Sequence, residues 1–113
     1  MSGFENLEVW KRAVDLSVEI YRSTAGLNDF GYRDQITRSG LSVHSNIAEG
    51  MERASNKDKI KFLDYAKSSC GEMRTQLLVG KKAGFIDESV ALRLISESRE
   101  VSAMIAGLMN SLR

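Results

Sequence analysis

The chain predicts an all-α fold, an antiparallel up-down-up-down four-helix bundle. Apolar residues recur at spacings of three and four through four long segments. Proline is absent, so nothing forces a break inside those segments. The connections around residues 52–55 and 84–87 are short and polar, which favours antiparallel neighbours. No alternating strand pattern competes.

The first helix is expected over Leu7 to Thr24. Leu7, Trp10, Ala13, Val14, Ser17, Ile20 and Tyr21 recur as one broad stripe. Trp10 reads as a core or interface anchor. Gly26 to Gly31 then reads as a connection.

The second helix is expected over Tyr32 to Met51, with Ile36, Gly40, Val43, Ile47 and Gly50 along its centre. Glycine at two such positions costs roughly 1 kcal/mol each relative to alanine. Close backbone approach would offset that cost; at Gly50 a helix end is the alternative. One flank carries Thr37, Leu41, His44, Ala48 and Met51, and the other carries Gln35, Ser39, Ser42, Asn46 and Glu49. The apolar band is wider than a narrow bundle stripe, so part of it is expected to face another subunit.

Ser55 opens the third helix, with Asp58 three residues on in the arrangement of a capping box. Phe62, Leu63, Ala66, Cys70, Met73 and Leu77 form its inner face, while Ile60 and Leu78 lie off it and suit assembly. Gly84 closes this helix, and Lys81 and Lys82 fit the negative end of its dipole. Asp87 caps the fourth helix, and Glu88 suits its first turn. Ala91, Leu94, Ser98, Val101, Ile105, Leu108 and Leu112 make its stripe.

Size and composition bound the function. A chain of 113 residues fits a single domain, residues 1–113, able to bury a core without metal or disulfide. Charged residues are 27% and apolar ones 42%, which argues against disorder. The lone Cys70 excludes an internal disulfide and sits among apolar residues at helical spacing, as a core cysteine does. The start lacks a secretion signal, and no stretch approaches the roughly 20 apolar residues of a membrane span. A soluble cytoplasmic protein with no membrane partner is expected.

A formal charge of +1 does not by itself point to nucleic acid. Acidic groups outnumber basic ones over residues 1–30, and basic outnumber acidic over residues 31–80. Arg38, Arg53, Lys57, Lys59, Lys61 and Lys67 are the candidate nucleic-acid residues, through phosphate contacts of low sequence specificity. Asp58 and Asp64 interrupt that patch, and solvent-facing lysines are common on helices. Asn46, Glu49, Arg53 and Arg38 are candidates for a polar interface network. Asn46 and Glu49 are three apart, and Glu49 and Arg53 four apart, so each pair can meet on a helix. Such a network would fix helix register, because wrong pairings leave polar groups unsatisfied.

Catalysis finds little support. His44 is the sole histidine, and Glu49, five residues on, does not align with it on a helix. Neither a metal-ligand spacing nor a phosphate-binding glycine loop followed by lysine occurs. No cofactor and no catalytic residues are expected.

Four segments together resemble the four-helix bundle protein family, also called the S23 or 23S rRNA-intervening-sequence protein family. They are FENLEVWKRAVDLSVEIYRST, QITRSGLSVHSNIAEGMERAS, KFLDYAKSSCGEMRTQL and KKAGFID, in the order the family has them. The motif of the second helix maps onto Gln35, Arg38, Ser45, Asn46, Ile47, Ala48, Glu49, Gly50 and Arg53. Its third-helix continuation maps onto Phe62, Leu63, Ala66, Glu72 and Leu77. His44 stands where the family commonly has proline, and Thr37 where it commonly has a basic residue. The first change removes a helix perturbation, and the second lowers local positive charge.

The resemblance implies a bundle assembled as a homopentamer. Some members are encoded within insertions of large ribosomal RNA genes. Accessory proteins of diversity-generating retroelements, related to them, form basic pentamers that bind nucleic acid and associate with a reverse transcriptase. The function expected is therefore a noncatalytic homo-oligomeric assembly or adaptor protein with a macromolecular partner. The alternative is a nucleic-acid-binding accessory, acting on RNA or DNA or assisting a reverse transcriptase.

Overall fold

A computed structural model describes residues 3–113. One 3-10 turn, Phe4–Asn6, precedes four helices: α1 (Glu8–Thr24), α2 (Phe30–Met51), α3 (Asn56–Ala83) and α4 (Glu88–Ser111). No strand occurs among the described residues. Helix α1 packs on α2, α2 on α3, α3 on α4, and α4 closes back on α1. The contacts run antiparallel. Along α2 and α3, Gly50 lies against Phe62, Ser42 against Ser69, and Tyr32 against Gly80. At 28 residues, α3 rises about 42 Å. That matches the 43 Å long axis, so α3 runs the length of the bundle.

Local chemistry sets the ends. Ser55 Oγ accepts the Asp58 amide at 3.1 Å and starts α3. Gly84 ends it in the left-handed region at φ 79°, with the Phe85 amide returning to the Gly80 carbonyl at 2.8 Å. Asp87 Oδ2 accepts the Ser89 and Val90 amides at 3.1 and 3.3 Å and starts α4. These bonds, the Ser89 hydroxyl foremost, hold the Asp87 carboxyl below its ordinary range. Helix α2 begins at Phe30, two residues before its expected start, because Asp29 Oδ1 accepts the Tyr32 amide at 3.0 Å. Gly31 thus belongs to the helix and not to the connection.

The core is a continuous apolar column in which Ile20, Ile36, Ile47, Leu63, Met73, Leu77, Leu94 and Ile105 are fully buried. Each such side chain contributes about 1.5–3 kcal/mol relative to exposure. Cys70 is buried too, and its thiol donates to the Ser98 carbonyl at 3.2 Å. The buried face of α1 is turned from the expected stripe. Val9 and Leu16 point inward, while Trp10 and Val14 are half-buried and Tyr21 is exposed. In α4, Ile95 and Met109 enter the core, and Leu108 and Leu112 sit at its margin.

The two central glycines of α2 do different work. A Cβ at Gly40 would meet Ile20 Cδ1 and Ser17 Oγ at 3.6 Å, an ordinary contact. One at Gly50 would lie 2.9 Å from Phe62 Cβ and 3.2 Å from the Lys59 carbonyl. Gly50 is inside α2, so close approach, and not helix termination, accounts for it.

Candidate functional site

The groups singled out in the sequence fall on three surfaces. The first is a polar seam between α2 and α3. Ser39 Oγ lies 2.5 Å from Gln76 Oε1 and 3.1 Å from the Ile36 carbonyl. Ser42 and Ser69 share a hydroxyl hydrogen bond of 2.8 Å. Asn46 Nδ2 donates to the Ser42 carbonyl and Oγ at 2.8 and 2.9 Å. Asn46 therefore braces the serine that crosses to α3. Tyr32 ends the seam by donating to the Gln76 carbonyl at 2.6 Å. Burial pushes the Tyr32 hydroxyl up to about 12, against the lowering influence of the Gly80 backbone.

Glu49 and Arg53 pair at 3.1 Å, and the Arg53 guanidinium also stands over the Phe62 ring, 4.5 Å from its centroid. Arg38 pairs with Asp34 at 3.2 Å. The four residues Asn46, Glu49, Arg53 and Arg38 thus form separate local contacts within the chain, and each pair partner lies on α2 or at its end. Ser69, Gln76 and Tyr32 complete the seam. Ser69 and Gln76 lie seven apart on α3 beside the core stripe, a spacing from which the sequence could have placed these two on the seam.

The second surface is the end of the bundle where α2 turns into α3. Lys59 Nζ donates to the Met51 and Arg53 carbonyls at 2.9 and 2.5 Å. It satisfies the last carbonyl of α2 and one in the connection that follows, and places its charge at the negative end of the dipole. Lys57 and Lys61 line an open groove of about 570 Å³ with Ile60, Asp58, Asp64 and Met109, and Arg113 joins them from the C-terminus. Lys67 borders the adjoining groove beside Asp64 and Arg113. The basic candidates are therefore divided: Lys57, Lys61 and Lys67 share this end, whereas Arg38 stands well along α2.

The third surface is the outer face of α1 and α2. Val18, Tyr21 and Leu41 are 40%, 37% and 38% exposed. Trp10, Val14, His44, Ala48 and Met51 are half-buried around them. Phe30 extends the face at 76% exposure. Arg33 reaches over the Tyr21 ring, and Lys11, Arg22 and Asp34 lie at helical spacing beside Val18 and Leu41, so the apolar strip has a charged border. Burial pushes the His44 imidazole below its ordinary value.

On the opposite edge of α1, Arg12 ties the bundle shut by pairing with Glu97 and, at 3.2 Å, with Glu100. The two carboxylates raise the guanidinium, with the Glu97 hydrogen bond foremost. Among the described residues no group of three or more His, Cys, Asp or Glu side chains could hold a metal ion. No described helix is long and apolar enough to cross a membrane.

These features define a four-helix bundle with polar contacts both within and between its helices, and with exposed apolar side chains on the outer face of α1 and α2 (Val18, Tyr21, Leu41) and on α3 and α4 (Tyr65, Leu78, Val79, Leu92). A model of the 23S rRNA-intervening sequence protein family matches residues 5–107, and the chain belongs to that family. A comparison with curated proteins finds no match. A crystal structure of a protein of unknown function from the S23 ribosomal protein family of Bacteroides thetaiotaomicron superposes with a TM-score of 0.84. It is 22% identical, over 89% of this chain and 97% of that one, and establishes likeness of fold.

Proposed function

We propose that the protein is a noncatalytic homo-oligomeric assembly unit, an adaptor that presents repeated surfaces to a macromolecular partner. The observation that carries this is the apolar strip on the outer face of α1 and α2, with Val18, Tyr21 and Leu41 exposed together. A second copy covering that strip would remove apolar surface from water at about 25 cal/mol per Å². A homopentamer is the assembly the family resemblance implies. Native mass spectrometry of the protein and of Leu41→Glu tests it. The expected result is a multiple of the 12.6 kDa protomer that falls to single chains in the variant. A folded wild type of 12.6 kDa at high concentration defeats the proposal.

One observation favours a second function, a nucleic-acid-binding accessory for RNA or DNA. Lys57, Lys61 and Arg113 converge on a single groove at one end of the bundle. Repeating that end around an oligomer would multiply a weak basic patch. Binding of an RNA hairpin should then weaken steeply with salt and drop when Lys57 and Lys61 are reversed to glutamate. Binding that ignores both changes rules it out. The soluble cytoplasmic setting expected from the sequence belongs with either role.

A further inference from the structure

Between α3 and α4, on the side away from the outer face of α1 and α2, runs a groove of about 280 Å³. Arg74, Thr75 and Leu78 line it from α3, and Leu92, Ile95 and Arg99 from α4. Ile95 is its buried floor, while Leu78 and Leu92 are 42% and 48% exposed. Arg74 lies one turn before Leu78, and Arg99 two turns after Leu92. In an antiparallel pair that places the arginines together at one end and the leucines together at the other.

The charge here is uncompensated. Arg74 Nε donates to Ser98 Oγ at 2.8 Å, and its Nη2 donates to Ser102 Oγ at 2.6 Å and the Ser98 carbonyl at 3.3 Å. All three acceptors are neutral. No acidic residue lines the groove, and neither Arg74 nor Arg99 has a carboxylate within ion-pair distance among the described residues. Arg12, Arg38, Arg53 and Arg93 are ion-paired, Arg12 with two carboxylates, while Arg22, Arg33 and Arg113 share the unpaired state of Arg74 and Arg99. Arg74 is thus a guanidinium fixed in place by neutral groups, with its field left for an incoming anion.

We propose that this groove docks an acidic amphipathic helix of a partner protein, its apolar side chains on Leu78, Leu92 and Ile95 and its carboxylates on Arg74 and Arg99. A trough between two helices suits a third helix, which presents apolar anchors at spacings of three and four. Arg99 can pair with a carboxylate through two parallel bonds, while Arg74, its Nε and Nη2 held by Ser98 and Ser102, offers a carboxylate its Nη1. A nucleic-acid backbone would satisfy the arginines but leave both leucines in water. This names the partner chemistry of the adaptor and rests on that function, although the groove itself is complete in one chain.

The test is selection of a displayed library of helical peptides on the full chain, followed by anisotropy titration of the winners. The expected winners carry Leu, Ile or Met at helical spacing beside Asp or Glu. Arg99→Glu should weaken them about tenfold or more, and replacing their carboxylates by lysine should restore binding to that variant. Leu92→Asp should weaken them as well. Both positions are exposed, so circular dichroism should show the fold unchanged. Winners without acidic residues, winners that bind both variants normally, or displacement of the winners by a single-stranded RNA oligonucleotide would each overturn the proposal. The solution mass of the same samples separates the two ideas. Single chains that still bind the peptide defeat the assembly, and an assembly that binds no peptide defeats the groove.

Discussion

Replacing each central glycine of α2 with alanine should change stability in opposite directions. Both substitutions relieve the entropic penalty of a mid-helix glycine, worth about 1 kcal/mol. At Gly40 the new methyl meets Ile20, Ser17 and Met73 at 3.6 to 3.8 Å, so nothing has to move. Gly40→Ala should therefore gain about 0.5–1 kcal/mol. At Gly50 the new methyl would lie 2.9 Å from Phe62 Cβ and 3.2 Å from a backbone carbonyl. Neither neighbour can swing away by changing rotamer, so α2 and α3 must part locally. Overpacking of that kind costs about 1–3 kcal/mol, which outweighs the propensity gain. Gly50→Ala should lose about 1–2 kcal/mol net, a fall in Tm of roughly 4–8 °C for a chain of this size. Urea titrations at one protomer concentration, followed by circular dichroism, measure both. Equal gains at the two positions would refute the close approach.

Three further outcomes follow from the side-chain contacts. Lys59→Gln should lose about 1–2 kcal/mol in urea unfolding, because Lys59 closes the end of α2, while Lys61→Gln should stay within about 0.5 kcal/mol. Tyr32→Phe should cost about 1 kcal/mol for the lost bond to Gln76. The raised Tyr32 hydroxyl favours the neutral form in the fold, so stability should fall as pH rises from about 10 towards about 12, and less steeply in Tyr32→Phe. His44 has the opposite sense. Its lowered value means the native state prefers neutral imidazole, so urea midpoints should drop as pH falls below about 6.5, and His44→Gln should flatten that slope.

Much of the fold was legible because its signals are local. Ser55, Gly84 and Asp87 act on backbone groups within a few residues, and they mark helix ends wherever the rest of the chain lies. The stripe through Leu63, Ala66, Cys70, Met73 and Leu77 is long and regular, and all five are buried. In α1 the apolar residues cover more than one face, so periodicity alone left its rotation open by about one residue. Only packing against α2 and α4 turns Val9 and Leu16 inward and leaves Tyr21 out.

The polar contacts were harder to read. The pairing of Glu49 with Arg53 follows from i, i+4 spacing. By contrast, Asn46 finds Ser42, and through it Ser69 on another helix, a choice that depends on the distance between α2 and α3. Lys59 looked like one lysine among several along an exposed turn. Its bonds to Met51 and Arg53 come from the tight connection of residues 52–55, which folds α3 back over the end of α2. Arg74 and Arg99 lie 25 positions apart, and only the antiparallel pairing of α3 and α4 brings them to one groove.

Radical footprinting of Trp10, Val18, Tyr21 and Leu41 during dilution would probe the shared apolar face most directly. Labelling of these residues should be low in concentrated protein and rise together as copies separate, while Leu92 on the far side stays constant. Strong labelling of Val18, Tyr21 and Leu41 at every concentration, in a chain that remains folded, would contradict it.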